Sequence, residues 1–251
     1  MTTGTSLNSK PTQKNKIIVA LDVPTAAEAI SIVNELNGAV GAFKVGLQLF
    51  TTAGPDLVRK LVKTGASVFL DLKLHDIPNT VAKASVEAAR LGIWMFNMHA
   101  SGGGEMMRQA SHEVGEVCER EGLEKPLIIA VTVLTSSNDD TLTEVGFANE
   151  TQPQVLKLAE LTAKCGLDGV VASPFEIEPI RARIESKEFV IVTPGIRPSS
   201  ATHDDQKRVM TPGEAVSVGA DHIVIGRPIT ASPDRVRAVE EIIREMEQGN
   251  A

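Results

Sequence analysis

Apolar residues in this chain fall into short, nearly continuous runs, and between the runs they recur every three or four positions. The first pattern is that of strands buried on both faces, and the second is that of helices with one apolar side. Residues 17–21 (IIVAL) form the first run, ending at Asp22. Pro24 and the capping box Thr25-x-x-Glu28 then open a helix carrying Ala29, Ile30, Ile32, Val33 and Leu36. Further strands are predicted at 42–45, 67–73, 93–99, 127–133, 169–172, 189–193 and 221–225. Helices are predicted at 55–64, 79–91, 102–121, 154–165, 175–184 and 212–218. A terminal helix reaches 247, with Ser232 as N-cap and Pro233 in its first turn. The polar stretches 134–140 and 194–211 read as loops, and 198–211 within the second is long enough to suggest a lid.

Eight strand–helix units in about 235 residues have the length and rhythm of an α/β fold of the (β/α)8 TIM-barrel type, one domain over residues 16–251. An open doubly wound sheet competes with it, but no strand is followed by a GxGxxG turn. Gly102-Gly103-Gly104 is the one dense glycine cluster and by itself indicates no more than a tight turn. Residues 1–15 are polar and lack the apolar centre of a secretion signal, so they read as a disordered tail outside the fold.

One run breaks the pattern. In Phe69-Leu-Asp-Leu-Lys-Leu-His-Asp-Ile-Pro-Asn-Thr-Val81, Asp71 and Lys73 stand two apart and would share one strand face, their Cβ atoms about 7 Å apart. Leu70, Leu72 and Leu74 take the other face, Asp76 follows at the strand's end, and Pro78-Asn79-Thr80 turns into a helix. Charges on the inner face of a buried strand are costly unless they pair with each other or with a ligand. A structural ion pair is the bland reading; an active-site charge array is the sharper one.

Composition narrows the alternatives. The chain has 251 residues, 42% of them hydrophobic, and a net charge of -7 without a basic stripe, which gives no reason to expect a nucleic acid polymer as partner. No apolar run reaches the about 18 residues of a membrane span. Cys118 and Cys165 lie far apart without metal-ligand spacing, as expected of reduced thiols in a cytoplasmic protein. An anionic ligand must therefore be held by local groups.

In such a barrel the carboxyl ends of the strands face the active site. Asp22, Lys44, Asp71, Lys73, His99, Thr135 and Ser173 all fall at or just after predicted strand ends. Two lysines alternating with two aspartates would let every charge be paired in a rigid, water-excluding field. Gly226-Arg227-Pro228 follows the last strand and Arg197 the seventh, where barrels commonly grip phosphate with backbone N–H groups and a cation. Gln206 in the long loop could add a neutral donor. These residues point to an enzyme acting on a small phosphorylated compound, with Lys73 as proton donor or Schiff-base former.

The motif at 69–81 closely resembles the defining motif of the orotidine 5′-monophosphate decarboxylases. The resemblance extends over the chain after the tail through Ala20-Leu-Asp-Val23, Phe43-Lys-Val-Gly46, Val131-Thr-Val-Leu-Thr-Ser136, Thr193-Pro-Gly-Ile-Arg197, Asp205-Gln-Lys-Arg208 and Ile225-Gly-Arg-Pro228. It implies decarboxylation of orotidine 5′-monophosphate to uridine 5′-monophosphate, the last step of pyrimidine synthesis, without metal or organic cofactor. It further implies a charge network of Lys44, Asp71 and Lys73, with Asp76 reaching the neighbouring site of a homodimer. Asp22, Lys44 and Thr80, the last again from the neighbour, would hold the ribose; Thr135 would lie by the pyrimidine; Arg197, Gln206, Gly226 and Arg227 would serve the phosphate. Two rivals remain at this stage. One is a magnesium-dependent sugar-phosphate decarboxylase or aldolase of the same superfamily, whose Asp-x-Lys-x-x-Asp core is matched by Asp71, Lys73 and Asp76. The other is a non-catalytic nucleotide-binding barrel.

Overall fold

The computed structural model of the protein describes residues 12–148, 150–199 and 210–249. Its first half runs β1 (Ile17–Ala20), α1 (Ala26–Leu36), β2 (Ala42–Gly46), α2 (Leu47–Lys63), β3 (Val68–Leu74), α3 (Pro78–Arg90), β4 (Met95–His99) and α4 (Gly104–Glu121). The second continues with β5 (Leu127–Val131), α5 (Asp139–Glu144), α6 (Thr151–Lys164), β6 (Gly169–Val171), α7 (Ile177–Arg183) and β7 (Val190–Thr193). It closes with α8 (Pro212–Ser217), β8 (His222–Ile225), α9 (Arg227–Thr230) and α10 (Arg235–Gln248). The eight strands form one closed barrel in sequence order, and β1 pairs with both β2 and β8 in parallel. The predicted (β/α)8 barrel is thus the observed one, and the open sheet is excluded.

Alternation on the strands sorts the apolar residues into two cores. Outward positions such as Ile17, Val19, Phe43, Val45, Leu70 and Phe96 pack under the helices in a large cluster. Inward positions Ile18, Ala20, Ala42, Phe69, Met95, Ile129, Val192 and Val224 form a separate cluster filling the barrel. That inner plug is the floor of whatever lies at the mouth.

Three local expectations need correction, and a fourth needs extension. The expected tail ran through residue 15, yet Gln13–Lys16 form a 3-10 turn beside β1 and β8; the Asn15 carbonyl packs so tightly over Gly41 that a Cβ there would lie 2.2 Å away. The helix expected from Pro55 is the second segment of α2: Gly54 (φ 67°) is non-helical and separates it from a helical segment starting at Leu47 that the sequence pattern did not reveal. The polar loop after β5 holds the short helix α5, capped by Asn138, whose side chain accepts the Thr141 N–H. The N-cap of α10 is Asp234, whose Oδ1 accepts from Arg237 N at 2.9 Å; the Ser232 hydroxyl donates to the Asp234 carbonyl.

Candidate active site

Continuing the inward alternation by one step past the apolar plug gives Asp22 after Ala20, Lys44 after Ala42 and Asp71 after Phe69. These side chains line a cleft of about 350 Å³ at the carboxyl ends of the strands. Val131, Val133 and Leu134 give it an apolar wall, with Thr135 beside them. Gly195 and Arg197 after β7, and Gly226 and Arg227 after β8, complete the lining. Because strand order follows sequence order around the ring, the two guanidinium groups come first, then Asp22, then Lys44, then Asp71 and Lys73.

The charges are joined in a chain. Lys44 Nζ lies 3.3 Å from Asp22 Oδ1 and 3.3 Å from Asp71 Oδ2, and Lys73 Nζ lies 2.7 Å from Asp71 Oδ1. Exposure is lowest in the middle of it: the Asp22 side chain is 63% accessible, Lys44 12%, Asp71 11% and Lys73 29%. Burial pushes the Asp71 carboxyl up, but the ammonium charges of Lys44 and Lys73 and the hydrogen bonds from Lys73 and Asn97 outweigh it, so the acid sits below its usual value. Asp71 therefore stays a carboxylate with both oxygens engaged. Gly46, two residues beyond Lys44, leaves room for the ammonium: a Cβ there would lie 3.2 Å from Lys44 Nζ.

Simple alternation does not explain how Lys73 reaches the cleft. Between Leu70 paired with Phe96 and Leu74 paired with Met98, β3 has three residues where β4 has one. Lys73 takes up this excess in the left-handed region (φ 54°), the one non-glycine residue with positive φ among the described residues. Strain of this kind costs about 1–3 kcal/mol and persists where surroundings enforce it. The group bonded to this backbone is Asn97 on β4, which is 1% exposed. Its Oδ1 accepts the Lys73 N–H at 2.8 Å and its Nδ2 donates to Asp71 Oδ1 at 2.7 Å. Sequence reading missed Asn97; the available signal was one polar residue inside the apolar run Met95-Phe-Asn-Met-His99.

Other expected residues are placed differently. Asp76 and Thr80 are exposed and do not line the cleft of their own chain; Asp76 Oδ1 accepts the Ile77 N–H at 2.7 Å. Ile77 between them is 66% exposed. Gln206 lies outside the described residues. Ser173 turns away into a local structure where Glu176 accepts its N–H at 2.8 Å. The His99 ring lies 5.4 Å from that of His75, and burial, then the charges of His75 and Lys73, push its pKa down.

Known proteins with this architecture narrow the chemistry. A family model described as "Orotidine 5'-phosphate decarboxylase / HUMPS family" matches residues 15–242. The orotidine 5'-phosphate decarboxylase of Syntrophotalea carbinolica is 53% identical over 233 residues, 93% of this chain and 95% of that protein. That of Moorella thermoacetica is 52% identical, covering 93% of each. The crystal structure of orotidine 5'-phosphate decarboxylase from Lactobacillus acidophilus superposes with a TM-score of 0.81 at 39% identity, over 92% of this chain and 98% of that one. A barrel with this charge chain at its mouth, matched over nine-tenths of its length, belongs to the orotidine 5'-phosphate decarboxylase / HUMPS family.

Proposed function

We propose that this protein is an orotidine 5′-monophosphate decarboxylase acting without metal or organic cofactor, the enzyme of the last step in uridine 5′-monophosphate synthesis. The observation that carries the reading is the Asp22–Lys44–Asp71–Lys73 chain, with Arg197 and Arg227 lining the same cleft. Half-identity to named decarboxylases supports this activity over that of the sugar-phosphate enzymes sharing the superfamily. Engagement of both Asp71 oxygens by ammonium groups also supports it, since a divalent ion would have to displace one of them.

The arrangement suits the reaction. Breaking the C6–carboxylate bond leaves the electron pair on C6 of the pyrimidine, where no conjugated sink takes it up. The Lys73 ammonium stabilises that pair and supplies the proton that forms the C6–H bond, after which solvent reprotonates the amine. Asp71 faces the substrate carboxylate, and two such charges 4 Å apart repel by about 4 kcal/mol at an effective dielectric of about 20. Loss of carbon dioxide relieves that repulsion. Asp22 and Lys44 hold the ribose hydroxyls, Thr135 borders the pyrimidine, and Gly226 with Arg197, Gln206 and Arg227 takes the phosphate. The decisive experiment follows orotidine 5′-monophosphate consumption by absorbance. Lys73→Ala should lose at least about 10³-fold in kcat, and EDTA should leave the wild type unaffected. Equal rates in both proteins, or a loss in EDTA restored by magnesium, overturns the reading.

The second part of the proposal is a homodimer with shared sites. Asp76 and Thr80 have no role in their own cleft, and the exposed Ile77 beside them, with Leu47 at 57% exposure, supports an interface at the start of α3 and α2. Asp76 and Thr80 then complete the partner's charge chain and ribose site. Mixing inactive Asp76→Ala and Lys73→Ala proteins should restore part of the activity through hybrid sites; no recovery after demonstrated subunit exchange refutes sharing. The buried free thiols Cys118 and Cys165 support a cytoplasmic location, and among the described residues no helix is long and apolar enough to cross a membrane.

A further inference from the structure

The bulge in β3 leaves the strand ladder incomplete at the residue that carries the reactive ammonium. Across it, Leu70 pairs with Phe96 and Leu74 with Met98, so Asn97 stands opposite the three residues 71–73, an excess of two. A backbone N–H stranded there would be a buried donor without a partner, which costs free energy. Asn97 Oδ1 fills that role for Lys73 N at 2.8 Å, while Nδ2 of the same amide holds Asp71 Oδ1 at 2.7 Å. The chemistry of the two partners fixes which end is which, because an N–H needs an acceptor and a carboxylate needs a donor. One fully buried amide thus ties together the backbone of the proton donor and the carboxylate beside it.

We propose that Asn97 is a positioning residue for the decarboxylation, holding Lys73 in its left-handed conformation and fixing Asp71 Oδ1 between two donors. It touches no substrate atom itself and lies outside the cleft lining. Without its amide, the Lys73 N–H loses its acceptor, and the backbone relaxes toward ordinary strand geometry. The ammonium would then lose its fixed place against Asp71 Oδ1, and Asp71 would keep only its two lysine partners. Binding of ribose and phosphate, which rests on Asp22, Lys44 and the arginines, does not pass through Asn97. The expected signature is therefore a loss in kcat with little change in KM. The acid limb of the kcat profile should also rise, because one donor that favours the Asp71 carboxylate is gone.

The inference rests on the proposed activity, and the two fail separately: absence of turnover in the wild type refutes the activity, whereas unimpaired turnover in the variants refutes the role of Asn97. The variants are Asn97→Ala, which removes both bonds, and Asn97→Asp, nearly isosteric, which keeps an acceptor for Lys73 N–H but sets a second carboxylate against Asp71. Both should lose about 10–100-fold in kcat, by analogy with hydrogen-bond partners that orient metal ligands, with KM within about threefold of wild type. Asn97→Asp should show the larger upward move of the acid limb. If Asn97→Ala does not fold, the Asp variant decides the same readouts. A kcat within twofold of wild type in a folded variant, a loss confined to KM, or an unmoved acid limb overturns the proposal.

Discussion

Asp71 is a carboxylate whose burial alone would favour the neutral acid, and its charge is kept by two ammonium groups and an amide arriving from three strands. Displacing any one of those donors by a fraction of an ångström changes the field in the cleft. Gly46 offers the mildest way to do so, since its backbone (φ −93°) accepts alanine while the added methyl would stand 3.2 Å from Lys44 Nζ. Gly46→Ala should lower kcat/KM by about 3–10-fold and leave Tm nearly unchanged; steady-state kinetics and calorimetry check both. Residues such as Asp22, Lys44 and Asp71 were legible in the sequence because they continue a period of two from apolar strand positions. Lys73 was placed at the mouth by the same rule for the wrong reason, since a bulge and a positive φ bring it there. Asn97 left one signal, a polar residue in an apolar run, and its role could not be read because that amide has no partner until the neighbouring strand is known.

Elements were legible where burial is periodic and obscure where it is not. The eight strands and the long helices show their apolar faces, whereas α5 buries only Leu142 and is held by polar bonds, with Asp139 Oδ1 accepting from Thr151 N at 2.7 Å. Helix α2 showed its second segment, which starts at Pro55 as expected, while the segment before the break at Gly54 went unread. Close approach between strands is equally silent in sequence. Gly169 opens β6 against Val190 of β7, and a Cβ there would lie 2.1 Å from the Val190 carbonyl oxygen. That contact is backbone to backbone and cannot yield by rotating a side chain. Gly169→Ala should destabilise by about 1–3 kcal/mol, lowering Tm by roughly 3–10 °C in a chain of this size. It lies at the start of its strand, remote from the mouth, so kcat measured well below Tm should be retained.

Across the whole molecule, ionisation links the mouth of the barrel to its base. His222 begins β8, its ring edge-on to Trp94 at 5.0 Å, and burial pushes its pKa down; burial does the same to His99 at the mouth. For a group whose folded pKa is depressed, the unfolded chain binds the proton first. The stabilisation is then complete above the unfolded value, about 6.5 for histidine, and is lost as pH falls through the lower folded value. Asp71 repeats this at lower pH, its contribution present above about 3.9 and lost as pH falls through its own depressed value. Unfolding free energy should therefore decline in two stages on acidification. His222→Phe should flatten the first stage by up to about 1.4 kcal/mol per pH unit, read from urea denaturation at a series of pH values; an unchanged slope would discount the base histidine. None of this was visible in sequence, where His222 is one residue at the start of an apolar run.

The closure of the sheet has a consequence for assembly. With β1 bonded to both β2 and β8, every strand has two neighbours, and the barrel presents no open row of backbone donors and acceptors. Another copy of the chain cannot associate by strand addition, the route by which exposed sheet margins lead to runaway aggregation. Any partner must instead be recognised through helices and the loops at the strand ends, by side-chain shape and charge. Those loops also line the cleft, so the proposed dimer with a shared active site draws assembly and chemistry from the same few residues.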